Sequence, residues 1–189
     1  IAGMLSTKFG VGNSEFRTNG ESGYVDTVPF GAFKREVFDK VGLFNTELLR
    51  SEDNEINARI RKNGGKIYLS SDIKFKYYCR NTVGGILSMG IKNGNALFRT
   101  VKVSPEAMSI RHFIPFIFFA SLIVMPVLSA LLSLFGWLFL AEMALYLALD
   151  LYFSFIKGKL KYGIVTVWLY PLFHICYGLG SMLGLFGIK

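Results

Sequence analysis

The chain has 189 residues, 52% of them hydrophobic and 18% charged, with a formal net charge of +8. That apolar share excludes a disordered chain, and two cysteines exclude a disulfide-rich secreted scaffold. The length suits one ordinary domain, or a small domain followed by a membrane segment. Charge is spread unevenly: residues 1–112 carry 17 basic and 11 acidic side chains, residues 113–189 only 4 and 2. Within the first part, residues 1–56 are net −3 and residues 57–112 net +9, so an acidic stretch precedes a basic one that abuts a hydrophobic one. No charged n-region or cleavage site marks a signal peptide, and a chain starting at Ile1 reads as the later part of a longer protein.

Residues 1–23 are rich in Gly, Ser and Asn, from Phe9-Gly10-Val11-Gly12-Asn13-Ser14 to Asn19-Gly20-Glu21-Ser22-Gly23. They read as a long loop, of the kind that often faces substrate. Gly10-x-Gly12 is a weak phosphate-loop signal, with no strand before it and no helix after it. Tyr24–Val28 is a strand candidate, broken by Pro29-Phe30-Gly31-Ala32. Lys34–Val41 reads as a short helix with Val37, Phe38 and Val41 on one face and Gly42 at its end. Ser51 is placed to cap a helix that runs to about Asn63 and stops at Gly64-Gly65, with Ile56 and Ile60 as its apolar stripe. Lys66–Tyr78 reads as a strand or hairpin region.

Val83–Val101 reads as an amphipathic helix, with Val83, Leu87, Ile91, Phe98 and Val101 on one face and Lys92, Asn95, Arg99 and Lys102 elsewhere. Its pattern suits a membrane surface, or an ordinary domain helix with a solvated basic face. Ser104-Pro105-Glu106 then reads as the start of a helix running straight into the apolar region. Phe113 to Ala141 is 29 residues without a charge, and the apolar character continues to Ile156 broken only by Glu142 and Asp150. After Lys157-Gly158-Lys159-Leu160-Lys161, the 27 residues Tyr162–Ile188 have no formal charge. At about 20 apolar residues per crossing, this predicts three spans, about 113–133, 136–156 and 162–187, with a reversal near Ser133-Leu134-Phe135-Gly136. The alternative is a buried helical hairpin in a soluble protein.

Basic flanks mark the cytoplasmic side. Arg99, Lys102 and Arg111 before the first span and the three lysines before the last place residues 1–112 in the cytoplasm and Lys189 outside. Glu142, Asp150 and His174 are ionisable groups within the spans, either functional or paired on protein-facing surfaces. Gly178, Gly180, Gly184 and Gly187 follow His174, and Gly180 with Gly184 signals close helix packing. Cys79 and Cys176 read as free thiols, the first cytoplasmic and the second in lipid.

Ser51-Glu52-Asp53-Asn54-Glu55 is the densest acidic cluster. In a helix's first turn, free N–H groups and the dipole favour ionised carboxylates. An ionised Asp can serve as a general base, although acids are also common there for stability alone. The wider pattern runs from Val25-Asp26-Thr27-Val28-Pro29-Phe30-Gly31-Ala32-Phe33-Lys34-Arg35-Glu36-Val37-Phe38 through Val41-Gly42-Leu43-Phe44-Asn45 and Glu52-Asp53-x-x-Ile56-x-x-Arg59-Ile60-Arg61-Lys62-x-Gly64 to Ile67-Tyr68. It resembles the C-terminal half of family 2 glycosyltransferases with the GT-A fold, and among them the membrane-bound transferases of bacterial exopolysaccharide assembly, of the succinoglycan type. The likeness covers roughly residues 1–112, and extends more loosely to His174-x-x-Tyr177-Gly178-x-Gly180.

The resemblance implies an α/β fold: a partial GT-A domain over residues 1–81 that lacks the nucleotide-binding half. An amphipathic interfacial helix and linker (82–112) and an α-helical membrane domain (113–188) follow. It implies an inverting transfer of sugar from a nucleotide-sugar donor to a lipid-linked or other saccharide acceptor at a bacterial inner membrane. Asp53 would be the catalytic base, Glu52 would shape the acceptor site, Gly31 and Ala32 would lie against the acceptor, and Arg80 would offset diphosphate charge. Mg²⁺ or Mn²⁺ would be bound mainly by the absent half, since no Asp-x-Asp occurs in this chain and Tyr77 and Tyr78 stand where some relatives have a histidine. The chain alone would therefore be inactive and expose an unpaired sheet edge. A competing expectation is a non-enzymatic membrane anchor or partner-binding subunit, in which the basic stretch grips anionic lipid. Nucleic-acid binding is disfavoured by the adjoining apolar segment.

Overall fold

The computed structural model describes residues 1–12, 14–18, 21–157 and 160–188. Asn13, Asn19 and Gly20 of the expected loop, Gly158 and Lys159 of the lysine segment, and Lys189 lie outside the described residues. The chain is mostly helical, with α1 (Lys8–Val11), β1 (Gly23–Val25), α2 (Arg35–Val41), α3 (Glu52–Lys62), β2 (Ile67–Leu69), α4 (Val83–Val103), α5 (Ile114–Ser129), α6 (Ser133–Leu151) and α7 (Gly163–Leu185).

β1 and β2 pair antiparallel, Tyr24 opposite Tyr68, and form a two-stranded sheet. Ser71 N–H donates to Ser22 Oγ at 2.9 Å and continues the ladder by one link. Ile56, Ile60 and Ile67 form a small core under this sheet, joined by Val25, Val28, Phe33, Val37, Phe38 and Val41. The apolar positions expected of α2 and α3 are therefore the ones that pack. α3 ends in a Schellman motif: Gly64 takes φ +79°, Gly65 N–H reaches Ile60 O at 2.9 Å and Gly64 N–H reaches Arg61 O at 3.0 Å.

Residues 1–12 are not the expected open loop. A 3₁₀ turn at Met4–Ser6 leads into α1, and Thr7 caps α1 by accepting from Gly10 N–H at 3.1 Å. Met4 and Leu5 bury with Ile86, Leu169, Tyr170 and Phe173 in the second core. A glycine-rich composition marked these residues as loop, but the segment gains its order from apolar burial against α4 and α7.

α4 forms where the periodicity places a helix, yet its buried face differs from the expected one. Ile86, Gly90, Gly94, Ala96, Leu97 and Thr100 are buried, while Val83 is exposed and Leu87, Ile91 and Phe98 are only half-buried. The reason is backbone proximity. A Cβ on Gly94 would collide with the Tyr177 carbonyl, one on Gly180 with the Ile91 carbonyl, and one on Gly184 with the Asn95 carbonyl. Glycine makes that approach possible, and a hydrophobic count does not register it.

The helix expected to run from Ser104 into the apolar region is interrupted. Pro105–Ala107 and Ile110–His112 are separate 3₁₀ turns with Met108 extended between them, and the buried Ser104 hydroxyl has no partner among the described residues. α5 then has 16 residues, about 24 Å at 1.5 Å per residue, short of the expected span 113–133. The reversal into α6 falls at residues 130–132, ahead of the expected Ser133–Gly136, because Ser133 and Gly136 already belong to α6. Among the described residues two helices are long and apolar enough to cross a membrane: Ser133–Ile156, whose last five residues are a π-turn, and Gly163–Leu185. α5 and α6 form an antiparallel hairpin: Ser121 Oγ donates to Glu142 Oε1 at 2.6 Å, and the Phe118 and Tyr146 rings stack at 4.2 Å.

Candidate functional site

Asp53 and Glu52 stand in the first turn of α3, and three sets of bonds fix that helix. Asn57 Nδ2 donates to Thr27 Oγ1 at 2.9 Å and to Val28 O at 3.0 Å, tying mid-helix to the segment after β1. The Arg59 guanidinium grips Glu55 with Nε–Oε1 at 2.6 Å and Nη2–Oε2 at 2.8 Å. Arg59 also donates to the carbonyls of Val41 and Leu43, which close the turn after α2. Ile56 and Ile60 anchor the apolar side. The acidic turn is thus held on a rigid element, which favours precise placement of reacting groups.

Ser51 precedes α3 but does not cap it with its side chain. It sits at φ +64°, ψ +17°, in the left-handed region, and its hydroxyl makes no capping bond. Phe30 also has positive φ, +52°, and its ring is 77% exposed, edge-on to Phe75. Strained backbone of this kind gathers at functional sites. Both residues line the same cleft as Glu52 and Asp53.

That cleft has a volume of about 1590 Å³ and joins two chemically different walls. One wall belongs to the segment around β1 and α3: Thr27, Pro29, Phe30, Ser51, Glu52, Asp53 and Asn54. The other belongs to the apolar helices: Pro115 and Phe118 of α5, Glu142, Leu145 and Tyr146 of α6, and His174 and Tyr177 of α7. Cations stand between them. Arg50 donates to Asn93 Oδ1 of α4 at 2.7 Å, and Arg111 pairs with Asp26 at 2.6 Å. Arg17 lies over the Tyr77 ring at 4.8 Å.

Partial burial, and then the neighbouring Glu52 charge, push the Asp53 carboxyl above its ordinary value. A carboxylate held that way is a stronger proton acceptor than a free one. His112, also on the cleft wall, is pushed below its ordinary value, mainly by burial. Its Nδ1 lies 3.0 Å from the Ser109 carbonyl oxygen and 3.1 Å from the Ser109 backbone nitrogen. On the far wall the His174 tautomer follows from its partners. Nε2 lies 3.0 Å from Phe9 O, which can only accept, so Nδ1 accepts from Tyr146 OH at 2.9 Å.

Of the five residues singled out in the sequence, the structure brings Glu52 and Asp53 into the cleft. Gly31 and Ala32 are one and two residues beyond its rim residue Phe30 and do not line it. A Cβ on Gly31 would press on the Phe33 ring, so Gly31 has a packing reason of its own. Arg80 is exposed and outside the cleft. The cations at the cleft are instead Lys8, Arg17, Arg50, Lys74 and Arg111. Arg50 could have been noticed from its place beside the acidic cluster. Arg111 is 85 residues from Asp26, and no local pattern announces that pair. Among the described residues no three His, Cys, Asp or Glu side chains converge on a metal position, so the residues present do not by themselves make a Mg²⁺ or Mn²⁺ site. Cys79 and Cys176 are free thiols. No protein-family model, curated protein or solved structure matches the chain.

Proposed function

We propose that this chain is the acceptor-side part of a membrane-bound, inverting glycosyltransferase that uses a nucleotide-sugar donor and a lipid-linked saccharide acceptor. The observation that carries the reading is the single cleft that holds Glu52 and Asp53 on one wall and α5, α6 and α7 on the other. An acceptor with a hydroxylated head and an apolar tail fits such a pair of walls.

In this reading the acceptor hydroxyl gives its proton to the Asp53 carboxylate. The hydroxyl oxygen forms the new bond to the anomeric carbon of the donor sugar. The bond from that carbon to the nucleoside diphosphate breaks on the opposite face, and the diphosphate departs with the electron pair. One displacement inverts the anomeric centre. Glu52 keeps the Asp53 carboxyl basic and excludes anionic groups from the acceptor side. Arg50 lines the same cleft and adds positive potential beside the acceptor, whereas the Arg111 charge is met by Asp26.

The test is Asp53→Asn in the full-length protein, assayed for sugar transfer from nucleotide sugars to lipid-linked saccharides in detergent. Loss of a positioned general base costs about 10²–10⁴-fold in turnover, with membrane association unchanged. Equal turnover in the variant would refute Asp53 as the base, and no transfer by the wild-type protein would refute the transferase reading and leave the anchor. Equal turnover of a soluble sugar and its lipid-linked counterpart would refute the acceptor class.

A further inference from the structure

α7 is long enough to cross a bilayer and touches α5 where Gly178 meets Pro115 and Phe119, yet its most extensive contact is with α4. It runs parallel to α4 over most of its length. Gly90 faces Phe173, Gly94 faces Tyr177 and Ser181, Ile91 faces Gly180, and Asn95 faces Gly184. At the end of α7, Asn95 Nδ2 and Arg99 Nη2 donate to Ile188 O at 2.8 and 3.4 Å.

α4 is in turn held from end to end by the preceding part of the chain. Ile86 buries with Met4 and Leu5, and Asn93 accepts from Arg50. Just beyond α4, Glu106 pairs with Lys62 of α3 at 2.7 Å. Residues 1–12 also reach α7 directly, through Thr7–Tyr170 at 2.8 Å and Phe9–His174 at 3.0 Å. From Tyr170 to Ile188, then, one face of α7 is covered by segments that belong with the polar, charged part of the molecule.

If α7 crossed the bilayer, it would carry α4 with it. The exposed Lys92, together with Asn93, Asn95 and Arg99, would lie beside it in hydrocarbon, where such side chains are costly. The uncovered face of α7 is a single stripe: Ile164, Trp168, Leu172, Leu179 and Phe186 are all exposed, at spacings that return to one side of a helix. Exposed Lys92, Lys102 and Lys161 surround this pair of helices, a charge that suits anionic headgroups.

We infer that α7, docked on α4, lies in the plane of the membrane on the side that carries Asp53. Its exposed stripe sits at the headgroup–acyl boundary, and the α5–α6 hairpin is the inserted element. Ile188 then faces the same side as α3, whereas three full crossings would put it on the other. The inference is independent of any activity.

The experiment reconstitutes the chain in phosphatidylcholine–phosphatidylglycerol vesicles with Trp137→Phe. The remaining tryptophan is read at 168, then moved by Ile164→Trp, Leu172→Trp, Leu179→Trp or Phe186→Trp in a Trp168→Phe background. All are exposed positions that burden no core. Quenching by lipids brominated at shallow or deep acyl positions gives the depth of each. An in-plane helix gives one shallow depth at all five. A profile deepest at Leu172, with Ile164 about 12 Å shallower, would overturn the inference. As a second readout, Phe186→Cys and Asp72→Cys are compared in a Cys79→Ser, Cys176→Ser background with a membrane-impermeant maleimide. Labelling from the same side is expected, and labelling of Phe186→Cys only from the opposite side would equally overturn it.

Discussion

Asp53 combines two demands that oppose each other. Its burial and the adjacent Glu52 raise its carboxyl above the ordinary value, which suits a base but works against folding. The unfolded chain ionises this group more readily than the folded one, so its contribution to stability falls as pH rises from the ordinary aspartate value, about 3.9, through the raised folded value. Asp53→Asn is therefore expected to melt higher than the wild type at neutral pH. That advantage should shrink to nothing as pH falls below the ordinary aspartate value, as thermal denaturation in detergent across pH would show. A variant that is more stable and inactive marks a residue held against its own folding preference. Arg59 shows the opposite case. It satisfies Glu55, which is only 4% exposed, and two carbonyls after α2. Arg59→Ala strands that carboxylate and should cost about 3–5 kcal/mol, measured by chemical denaturation.

Two different seams hold the elements together. The α3 seam is made of branched side chains, Ile56, Ile60 and Ile67 with the valines around them, and its strength is apolar burial at about 25 cal/mol per Å². The α4–α7 seam is made of what is missing from Gly94, Gly180 and Gly184. There the neighbour at each position is a carbonyl on the facing helix, which cannot rotate aside as a side chain would. Gly94→Ala must push the helices apart and is expected to destabilise by about 1–3 kcal/mol or more. Gly64→Ala is expected to act differently: no atom lies near its Cβ position, and only its positive φ is strained. Comparing the two by denaturation midpoint separates crowding from backbone strain. At the α5–α6 hairpin, Glu142 has a hydroxyl partner in Ser121, which reduces the cost of placing it in an apolar helix.

As a whole the molecule is a polar α/β portion, a docked helix pair and an apolar hairpin, with the cleft where all three meet. The hairpin helices expose large apolar side chains along their length, including Val127, Trp137, Leu140 and Leu145. Such a surface is not stable in water. The protein is expected to stay with the membrane through alkaline carbonate and high salt, and to be released by detergent. Release by salt alone would mean that only the basic residues hold it.

Composition and period decided much of this in advance. Separation into a charged part and an apolar part, the helices at α2, α3 and α4, the glycine stop after α3 and the Glu52-Asp53 turn all follow from local chemistry: helix periodicity, capping geometry and the absence of charge over long runs. Tertiary structure alone decided the order of residues 1–12, the buried face of α4, the break after Ser104, the short α5 and the cations at the cleft. Three of these depend on a partner far along the chain: Met4 on Tyr170, Gly94 on Tyr177, Arg111 on Asp26. A glycine buried by a neighbouring backbone and a glycine in a loop look alike until the neighbour is in place.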